Sequence, residues 1–172
     1  LNVSRFSKRK DHYTTLKAFE IVLRKIKNIK LILIGYGPEL ENIIRFSKNL
    51  KINKNIIVIN KTYNPYSYMK KSKLLILTSV YEGFPNVLVE SLTIGTPVIS
   101  TNANAGASEI LLNGKGGDLI KIGDYKNLAK KIINHFSNPK ILIKKAKIAK
   151  KNLYRFETKR HSKIYTNLFQ RI

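Results

Sequence analysis

Three runs of four consecutive aliphatic residues constrain the fold of this chain more than any other feature of its sequence. They occupy positions 31–34, 56–59 and 74–77. None of them alternates with polar residues, which is typical of strands in a parallel sheet that is covered on both faces. Segments with helical spacing separate the runs, and further short strands are expected at 98–99 and 119–120. This alternation predicts an α/β fold with a Rossmann-like, doubly wound parallel sheet.

The last third of the chain predicts helices that cover this sheet. Asp124 suits a helix N-cap, and Pro139 suits the first turn of a second helix. A third helix is expected from the spacing of three apolar residues, Ile164, Leu168 and Ile172. No internal repeat or flexible linker interrupts the sequence. We therefore interpret residues 1–172 as a single domain with one core.

The chain is strongly basic, with 33 Lys and Arg against 10 Asp and Glu and a formal net charge of +23. Such a charge attracts anions, but the lysines are spread along the sequence and assign no function by themselves. The absence of cysteine excludes a disulfide framework, a thiolate metal site and a thiol nucleophile. No apolar stretch approaches the roughly 20 residues of a membrane-spanning helix. Because the first residues are Leu and Asn rather than Met, we interpret the chain as part of a longer protein.

Two of the four basic side chains between the first short strand and the first helix are candidates for ligand binding. They are Arg5 and Lys10. In sheets of this kind ligands bind beyond the carboxyl ends of the strands, and a helix N-terminus favours anions, so both are candidates for phosphate binding. The next such loop contains Gly35 and Gly37, but Leu40 stands where a dinucleotide fingerprint has its third glycine. We therefore exclude a nicotinamide-dependent dehydrogenase.

Two carboxylates follow the run at 74–77. Glu82 lies in a loop with Gly83 and Pro85, and Glu90 lies about one turn into the helix that is expected to begin after Pro85. The carboxylates therefore stand on either side of the backbone N–H groups that begin this helix. A diphosphate would meet those donors, while the carboxylates accept hydrogen bonds from a sugar at one end and a ribose at the other. This pattern indicates a sugar-nucleotide site.

Residues 82–90 resemble the E-x7-E motif of the C-terminal, donor-binding domain of glycosyltransferase family 4, a group of retaining enzymes with the GT-B architecture. Other short matches follow the order and spacing of that family between Asn2 and about Phe136. They are residues 3–5, Lys10, residues 35–39, 95–99, 106–109 and 113–114. Position 107 is Ala where the family often has Pro.

The resemblance implies a role for each matching residue. Arg5 and Lys10 would bind the diphosphate and offset the negative charge of the leaving group. Glu82 would hold donor-sugar hydroxyls, and Glu90 would hold the ribose hydroxyls. The other donor-binding residues that it implies are Gly83, Phe84, Asn86, Val87 and Leu88, the last two through backbone N–H groups that face phosphate. The loop at 60–63 is expected to contact the base, and no metal or other cofactor is expected.

The resemblance also implies what the whole protein does. It would transfer a hexose-type sugar from a nucleotide-diphosphate donor to a saccharide or lipid-linked acceptor in the biosynthesis of surface polysaccharide, such as capsule or lipopolysaccharide. An N-terminal acceptor domain would be absent here, so this chain is expected to bind donor without transferring it. We expect a cytoplasmic protein with no specific nucleic-acid partner. Peripheral contact with an anionic membrane is a further hypothesis.

Two alternatives stay open. A nucleic-acid or membrane-surface module would use the basic surface, with an aromatic cluster of Tyr63, Tyr66 and Tyr68 among lysines. One half of a sugar-nucleotide epimerase would share the two-domain architecture. A hydrolase with paired carboxylates is excluded because Arg5 and Lys10 are expected to keep both carboxylates charged, whereas hydrolysis needs one raised pKa.

Overall fold

The computed structural model describes residues 1–103 and 105–169 of the chain. It contains two parallel sheets of three strands each. The first has the order β1 (Asn2–Val3), β2 (Leu31–Ile34) and β3 (Ile56–Ile59). The second has the order β4 (Leu75–Leu77), β5 (Val98–Thr101) and β6 (Asp118–Ile120). The predicted parallel α/β architecture is confirmed.

Hydrogen bonds join the two sheets along β1 and β4. The backbone N–H of Ile76 donates to the carbonyl of Leu1 over 2.8 Å. The side-chain amide of Asn2 donates to the carbonyl of Ile76 over 3.0 Å. The strands therefore lie side by side in the order β3-β2-β1-β4-β5-β6, which is the Rossmann order with its reversal point between β1 and β4.

Helices connect and cover the strands. Those between strands are α1 (His12–Lys25), α2 (Leu40–Asn49), α3 (Pro65–Lys71), α4 (Asn86–Ile94) and α5 (Ala105–Ile110). Those after β6 are α6 (Tyr125–Ser137), α7 (Pro139–Lys151) and α8 (Thr158–Phe169). A short 3₁₀ turn, Leu153–Phe156, lies between α7 and α8. Among the described residues, no helix combines the length and the apolar character that crossing a membrane requires.

The helix boundaries follow from local chemistry. The side chain of Asp124 accepts a hydrogen bond from Asn127 N over 3.1 Å and so caps α6, as predicted. Pro139 stands in the first turn of α7, where its missing N–H has no partner to lose. Gly95 ends α4 with a φ of 96°, a backbone conformation that side chains disfavour.

Each face of the sheet packs against its own group of helices. Leu16, Phe19 and Ile132 belong to the apolar cluster on the side of α1, α2 and α6. Leu92 and Ala149 belong to the cluster on the side of α3, α4, α5 and α7. The sheet is therefore doubly wound, and the single core expected from the sequence is divided by the strands into two apolar clusters.

Two details differ from the sequence-based expectation or fall beyond it. The run at 56–59 was expected to be covered on both faces, but Ile57 is 44% exposed because β3 is the edge strand. The third C-terminal helix exists as α8. The side chains of Ile164 and Leu168, and all of Ile172, lie outside the described residues.

Candidate functional site

Two loops at the β1–β4 junction build the candidate site. They comprise residues 4–11, between β1 and α1, and residues 78–85, between β4 and α4. From this junction the two sheets continue in opposite directions. The crevice beyond the carboxyl ends of two such strands is the usual position of a ligand in this topology.

Backbone contacts fix the first loop against the turn that follows β2. Ser4 N donates to the carbonyl of Ile34 over 3.0 Å, and Phe6 N donates to that of Tyr36 over 2.8 Å. Gly35 permits this approach, since a Cβ at its position would lie 1.9 Å from the carbonyl oxygen of Ser4. The glycines after β2 therefore serve a tight contact between two chain segments, in agreement with the exclusion of a dinucleotide fingerprint.

Hydrogen bonds between the two loops hold them together. The hydroxyl of Thr78 donates to the carbonyl of Asp11 over 2.8 Å, and Val80 N donates to the carbonyl of Arg9 over 2.8 Å. Thr15 Oγ1 lies 2.8 Å from Thr78 Oγ1. Because the single hydroxyl hydrogen of Thr78 goes to a carbonyl, Thr15 is the donor in this pair. These buried bonds place the end of the first loop beside the start of the second.

The most direct contact between the loops is an ion pair between Lys10 Nζ and Glu82 Oε1. The two side chains are only 15% and 8% exposed, so water and salt screen the pair weakly. The hydroxyl of Ser79 donates to the same carboxylate oxygen over 2.6 Å. Thr101 Oγ1 in turn donates to the carbonyl of Ser79 over 2.6 Å. Lys10 and Glu82, two of the three predicted catalytic residues, are thus in contact although they lie 72 positions apart in the sequence.

A buried histidine supports the first loop at its helical end. His12 is the first residue of α1, is 1% exposed, and packs edge-to-face on Phe6 with 5.1 Å between ring centroids. Ser4 Oγ donates to Asn2 Oδ1 over 2.7 Å and therefore accepts from His12 Nε2, which lies 3.1 Å away. Burial, with a smaller contribution from the charge of Lys10, lowers the pKa of His12 to about 4. The ring is therefore neutral and carries its hydrogen on Nε2.

Three predicted donor-binding residues after Glu82 are open to solvent, whereas Pro85 between them is buried. Gly83, Phe84 and Asn86 are all exposed. Leu88 N donates to the carbonyl of Pro85 over 2.9 Å within the first turn of α4. The N–H of Leu88 therefore becomes available to a phosphate only if this bond is shared or given up.

Glu90 departs from one expectation. It is half-buried on the second turn of α4 and forms no ion pair with any residue in the described ranges. Burial raises the pKa of its carboxyl above the ordinary value. Arg5 and Lys10 were expected to favour the charged form of both carboxylates, but at Glu90 burial favours the neutral form and no paired cation offsets it.

Arg5 lies at a neighbouring cavity rather than in the Lys10–Glu82 pair. The cavity has a volume of about 360 Å³ and opens beyond the carboxyl ends of β1, β2 and β3. Arg5 and Lys61 are the two charged residues among those described in its wall. The wall also contains Ser4, Tyr36, Asn60 and Thr62. Three of the four residues at 60–63 that were expected to contact a base therefore line this cavity, while Tyr63 projects outward with 92% exposure.

The aromatic cluster considered for a surface-binding module is divided in the structure. Tyr63 and Tyr66 are exposed, and Lys61 Nζ lies 5.3 Å from the ring centroid of Tyr63. Tyr68, in contrast, packs against the apolar cluster beneath α3. The three rings therefore do not form one continuous surface.

Sequence reasoning missed the hydroxyl residues that organise the site. Thr78 and Ser79 follow β4 directly and are fully buried. The available signal was a Thr-Ser pair at the carboxyl end of an apolar strand, where polar residues face the crevice.

The family model for glycosyl transferases group 1 matches residues 1–155. The chain belongs to this family. Membership favours a transferase over an epimerase half. It also favours a transferase over a paired-carboxylate hydrolase, an exclusion that the raised pKa of Glu90 does not support. The predicted family and architecture are confirmed, since the structural neighbours are GT-B glycosyltransferases.

Two curated relatives illustrate the family. The capsular polysaccharide biosynthesis glycosyltransferase CapM of Staphylococcus aureus is 34% identical over 132 residues, covering 76% of this chain and 34% of CapM. A Campylobacter jejuni enzyme is 30% identical over 128 residues, covering 74% of this chain and 34% of that protein. Its name is N-acetylgalactosamine-N,N'-diacetylbacillosaminyl-diphospho-undecaprenol 4-alpha-N-acetylgalactosaminyltransferase. The chain thus spans about a third of the length of each.

A solved structure contains a domain with the fold of this chain. The G117R mutant of S. aureus TarM, in complex with Fondaparinux, alpha-GlcNAc-glycerol and UDP, superposes with a TM-score of 0.90 at 23% identity. The match covers 98% of this chain and 34% of TarM. At this level of identity the likeness establishes the fold alone.

Proposed function

We propose that this chain binds the nucleotide-diphosphate sugar donor of a retaining glycosyltransferase that builds surface polysaccharide. The enzyme transfers a hexose-type sugar to a saccharide or lipid-linked acceptor. The observation that carries the proposal is the contact between Lys10 and Glu82 at the β1–β4 junction. A cation beside a carboxylate suits a ligand in which an anionic diphosphate is joined to neutral sugar hydroxyls.

The proposed chemistry follows from the charges of these side chains. When the bond between the sugar and the diphosphate breaks, the departing nucleoside diphosphate gains negative charge. Lys10 and Arg5 offset that charge, and Glu82 accepts hydrogen bonds from sugar hydroxyls at its second oxygen, Oε2. The retained anomeric configuration is part of the proposal. The anomer of the product formed by the whole enzyme, measured by NMR, tests it.

The relatives support the proposed substrate classes. CapM is named for capsular polysaccharide, and the C. jejuni enzyme is named for an acceptor linked to diphospho-undecaprenol. TarM was crystallised with UDP. UDP is therefore the first nucleotide to test, and polysaccharide precursors or lipid-linked saccharides are the first acceptors.

The acceptor site belongs, in this proposal, to a further domain of the whole enzyme. The chain spans about a third of the length of its relatives, which is consistent with one domain of a larger enzyme. The cavity beside Arg5 is proposed to receive the base, because the predicted base-contacting loop forms part of its wall. The chain by itself then binds donor without transferring the sugar.

Isothermal titration calorimetry on this chain tests the proposal. We expect saturable binding of at least one nucleoside diphosphate from a panel of five bases, and tighter binding of one of its sugar conjugates. A thermal-shift screen gives an independent readout, since only ligands that favour the folded state raise the melting temperature. The proposal would be overturned if neither the nucleoside diphosphates nor their sugar conjugates bound in either measurement.

Binding is proposed to need no metal ion. In this proposal two cationic side chains, Lys10 at the junction and Arg5 at the adjacent cavity, supply the counter-charge of the diphosphate. Addition of EDTA is therefore expected to leave the affinity for the nucleoside diphosphate unchanged. A loss of affinity that is restored by Mg²⁺ contradicts this part of the proposal.

We also propose that the protein contacts an anionic membrane through the exposed face of α7. Residues 125–156 contain no Asp or Glu. The solvent-facing side of α7 has four exposed lysines at three- and four-residue spacing, Lys140, Lys144, Lys147 and Lys151. Beside them Ile141 is 60% exposed and Ile148 is 39% exposed. Lysines with adjacent exposed aliphatic groups suit a bilayer with anionic headgroups.

Vesicle sedimentation tests the membrane proposal. We expect the chain to sediment with phosphatidylglycerol vesicles and not with phosphatidylcholine vesicles. Changing the four lysines of α7 to Gln is expected to abolish sedimentation. The matched control changes four exposed lysines elsewhere to Gln: Lys25, Lys27, Lys48 and Lys54. Equal sedimentation with both lipids, or equal losses in the two variants, overturns the membrane proposal.

Since nucleotide sugars are its proposed donors, we propose a cytoplasmic location for the protein.

A further inference from the structure

The 3₁₀ turn Leu153–Phe156, which follows α7, reaches the loop after Glu82. The ring of Phe156 packs edge-to-face on that of Phe84, with 5.0 Å between centroids and an interplanar angle of 67°. Phe84 is 42% exposed, so Phe156 covers one side of a ring that otherwise faces solvent. A residue some seventy positions away thus contacts the proposed donor-binding loop directly.

Arg155 ties the same turn to α5. Its Nη2 donates to the carbonyl of Glu109 over 3.2 Å. Its Nε donates to the carbonyl of Asn152 over 3.1 Å, which holds the side chain against its own turn. The guanidinium carbon lies 4.9 Å from the ring centroid of Phe156. The two residues therefore act as one unit that contacts both α5 and the loop.

Helix α5 closes the arrangement from the other side. A Cβ at Gly106 would lie 2.3 Å from the carbonyl oxygen of Gly83 and 3.1 Å from Pro85 Cδ. The backbone of α5 is therefore in tight contact with residues 83–85. Two chain segments that are distant in the sequence therefore enclose this loop: α5, and the turn that carries Arg155 and Phe156.

We infer that Phe156 and Arg155 are positioning residues for the donor sugar. They hold residues 83–85, and with them Glu82, in the conformation that accepts sugar hydroxyls. Lys10 shares an ion pair with Glu82, but its backbone belongs to the loop after β1, so the diphosphate position is expected to depend less on this support than the sugar position does. A preorganised loop binds more tightly because less conformational freedom is lost on binding. The inference rests on the proposed function and names residues outside the matched motif that serve it.

The expected signature is a change in the ratio of two affinities. In Phe156→Ala, the affinity for the sugar nucleotide falls about five- to tenfold, in the upper part of the range that corresponds to a lost aromatic contact. The affinity for the nucleoside diphosphate stays within about twofold, because its proposed contacts are untouched. Phe156→Tyr, which keeps the ring, restores the wild-type ratio. A purely structural role would instead weaken both ligands together.

Calorimetry with UDP and a UDP-sugar, or with the pair that binds in the nucleotide screen, measures this ratio. Phe156→Leu keeps apolar bulk without the ring and serves if the Ala variant does not fold. Tyr154→Ala is the matched control, since Tyr154 lies in the same turn and its ring contacts Arg160 instead of the loop. An unchanged ratio in the Ala and Leu variants overturns the positioning role while the donor-binding function stands. Failure of the unaltered chain to bind any nucleoside diphosphate overturns both.

Discussion

The carbonyl oxygen of Ser4 occupies the space that a side chain on Gly35 would need, with 1.9 Å between it and the Cβ position. Gly35 also has a φ of +153°, and its obstacle is backbone rather than a flexible side chain. Gly35→Ala must therefore displace the loop that carries Arg5. We expect it to lower the free energy of unfolding by about 3 kcal/mol or more, measured by urea denaturation.

Gly83→Ala is the matched control for folding. No atom lies within 4 Å of a Cβ at that position. We expect its unfolding midpoint to stay close to that of the unaltered chain. Equal midpoints for the two alanine variants would show that the contact between Ser4 and Gly35 does not constrain the loop.

His12 makes stability depend on pH. Burial is the main cause that lowers its pKa from 6.5 to about 4, so the unfolded chain binds a proton on this residue before the folded chain does. The destabilisation is absent above pH 6.5, grows as the pH falls and is complete near pH 4. Relative to His12→Gln, the unaltered chain is expected to lose about 3 kcal/mol of unfolding free energy over this window.

Urea denaturation of both proteins at several pH values measures this difference. His135 also has a pKa lowered by burial, but it is present in both proteins and cancels in the comparison. Parallel curves for the two proteins across the window would mean that His12 titrates alike in the folded and unfolded states.

Local patterns were enough to predict most of the fold. The strands at 31–34 and 75–77 are apolar because both faces are covered, and this burial is visible in the sequence as a lack of alternation. Asp124 and Pro139 indicate where helices begin, because N-caps and first-turn prolines affect only the few residues next to them. Such features depend on neighbours along the chain, so no knowledge of tertiary contacts was needed.

The support of the site could not be predicted in the same way. The bond from Thr78 to Asp11 and the contact of Phe156 with Phe84 each join segments about seventy residues apart. The direction of the pKa shift of Glu90 could not be predicted for the same reason. Spacing along a helix does not show that Lys10 pairs with Glu82 and leaves Glu90 without a cation. Motif residues indicated a kind of ligand, whereas the groups that hold those residues appear only after folding.

Glu90 is expected to lower the stability of the folded chain and to strengthen nucleotide binding. Because burial raises its pKa, its charged form is disfavoured in the folded state, and stability decreases as the pH rises through its titration range. Glu90→Gln removes this cost and is expected to raise the urea midpoint at pH 7. The same change is expected to weaken nucleoside diphosphate binding by about 1.5 to 3 kcal/mol, the range for a hydrogen bond to a charged group.

Calorimetry with a ribonucleoside diphosphate and its 2′-deoxy analogue isolates the ribose role of Glu90. The unaltered chain should prefer the ribonucleotide, and the Gln variant should lose most of that preference. A variant that binds both nucleotides as tightly as the unaltered chain does would remove Glu90 from the site.

Lys10→Ala separates the diphosphate from the rest of the nucleotide. The variant loses the cation proposed to face the diphosphate, so affinity for a nucleoside diphosphate is expected to fall by about 1.5 to 3 kcal/mol. Affinity for the nucleoside, which has no phosphate, is expected to stay the same. Lys8→Ala is the charge-matched control, because Lys8 is exposed in the same loop and pairs with no carboxylate among the described residues. Calorimetry on the three proteins distinguishes the cases. Equal losses for the nucleoside and the nucleoside diphosphate would mean that Lys10 does not contact phosphate, since a lost phosphate contact cannot weaken a ligand that has no phosphate.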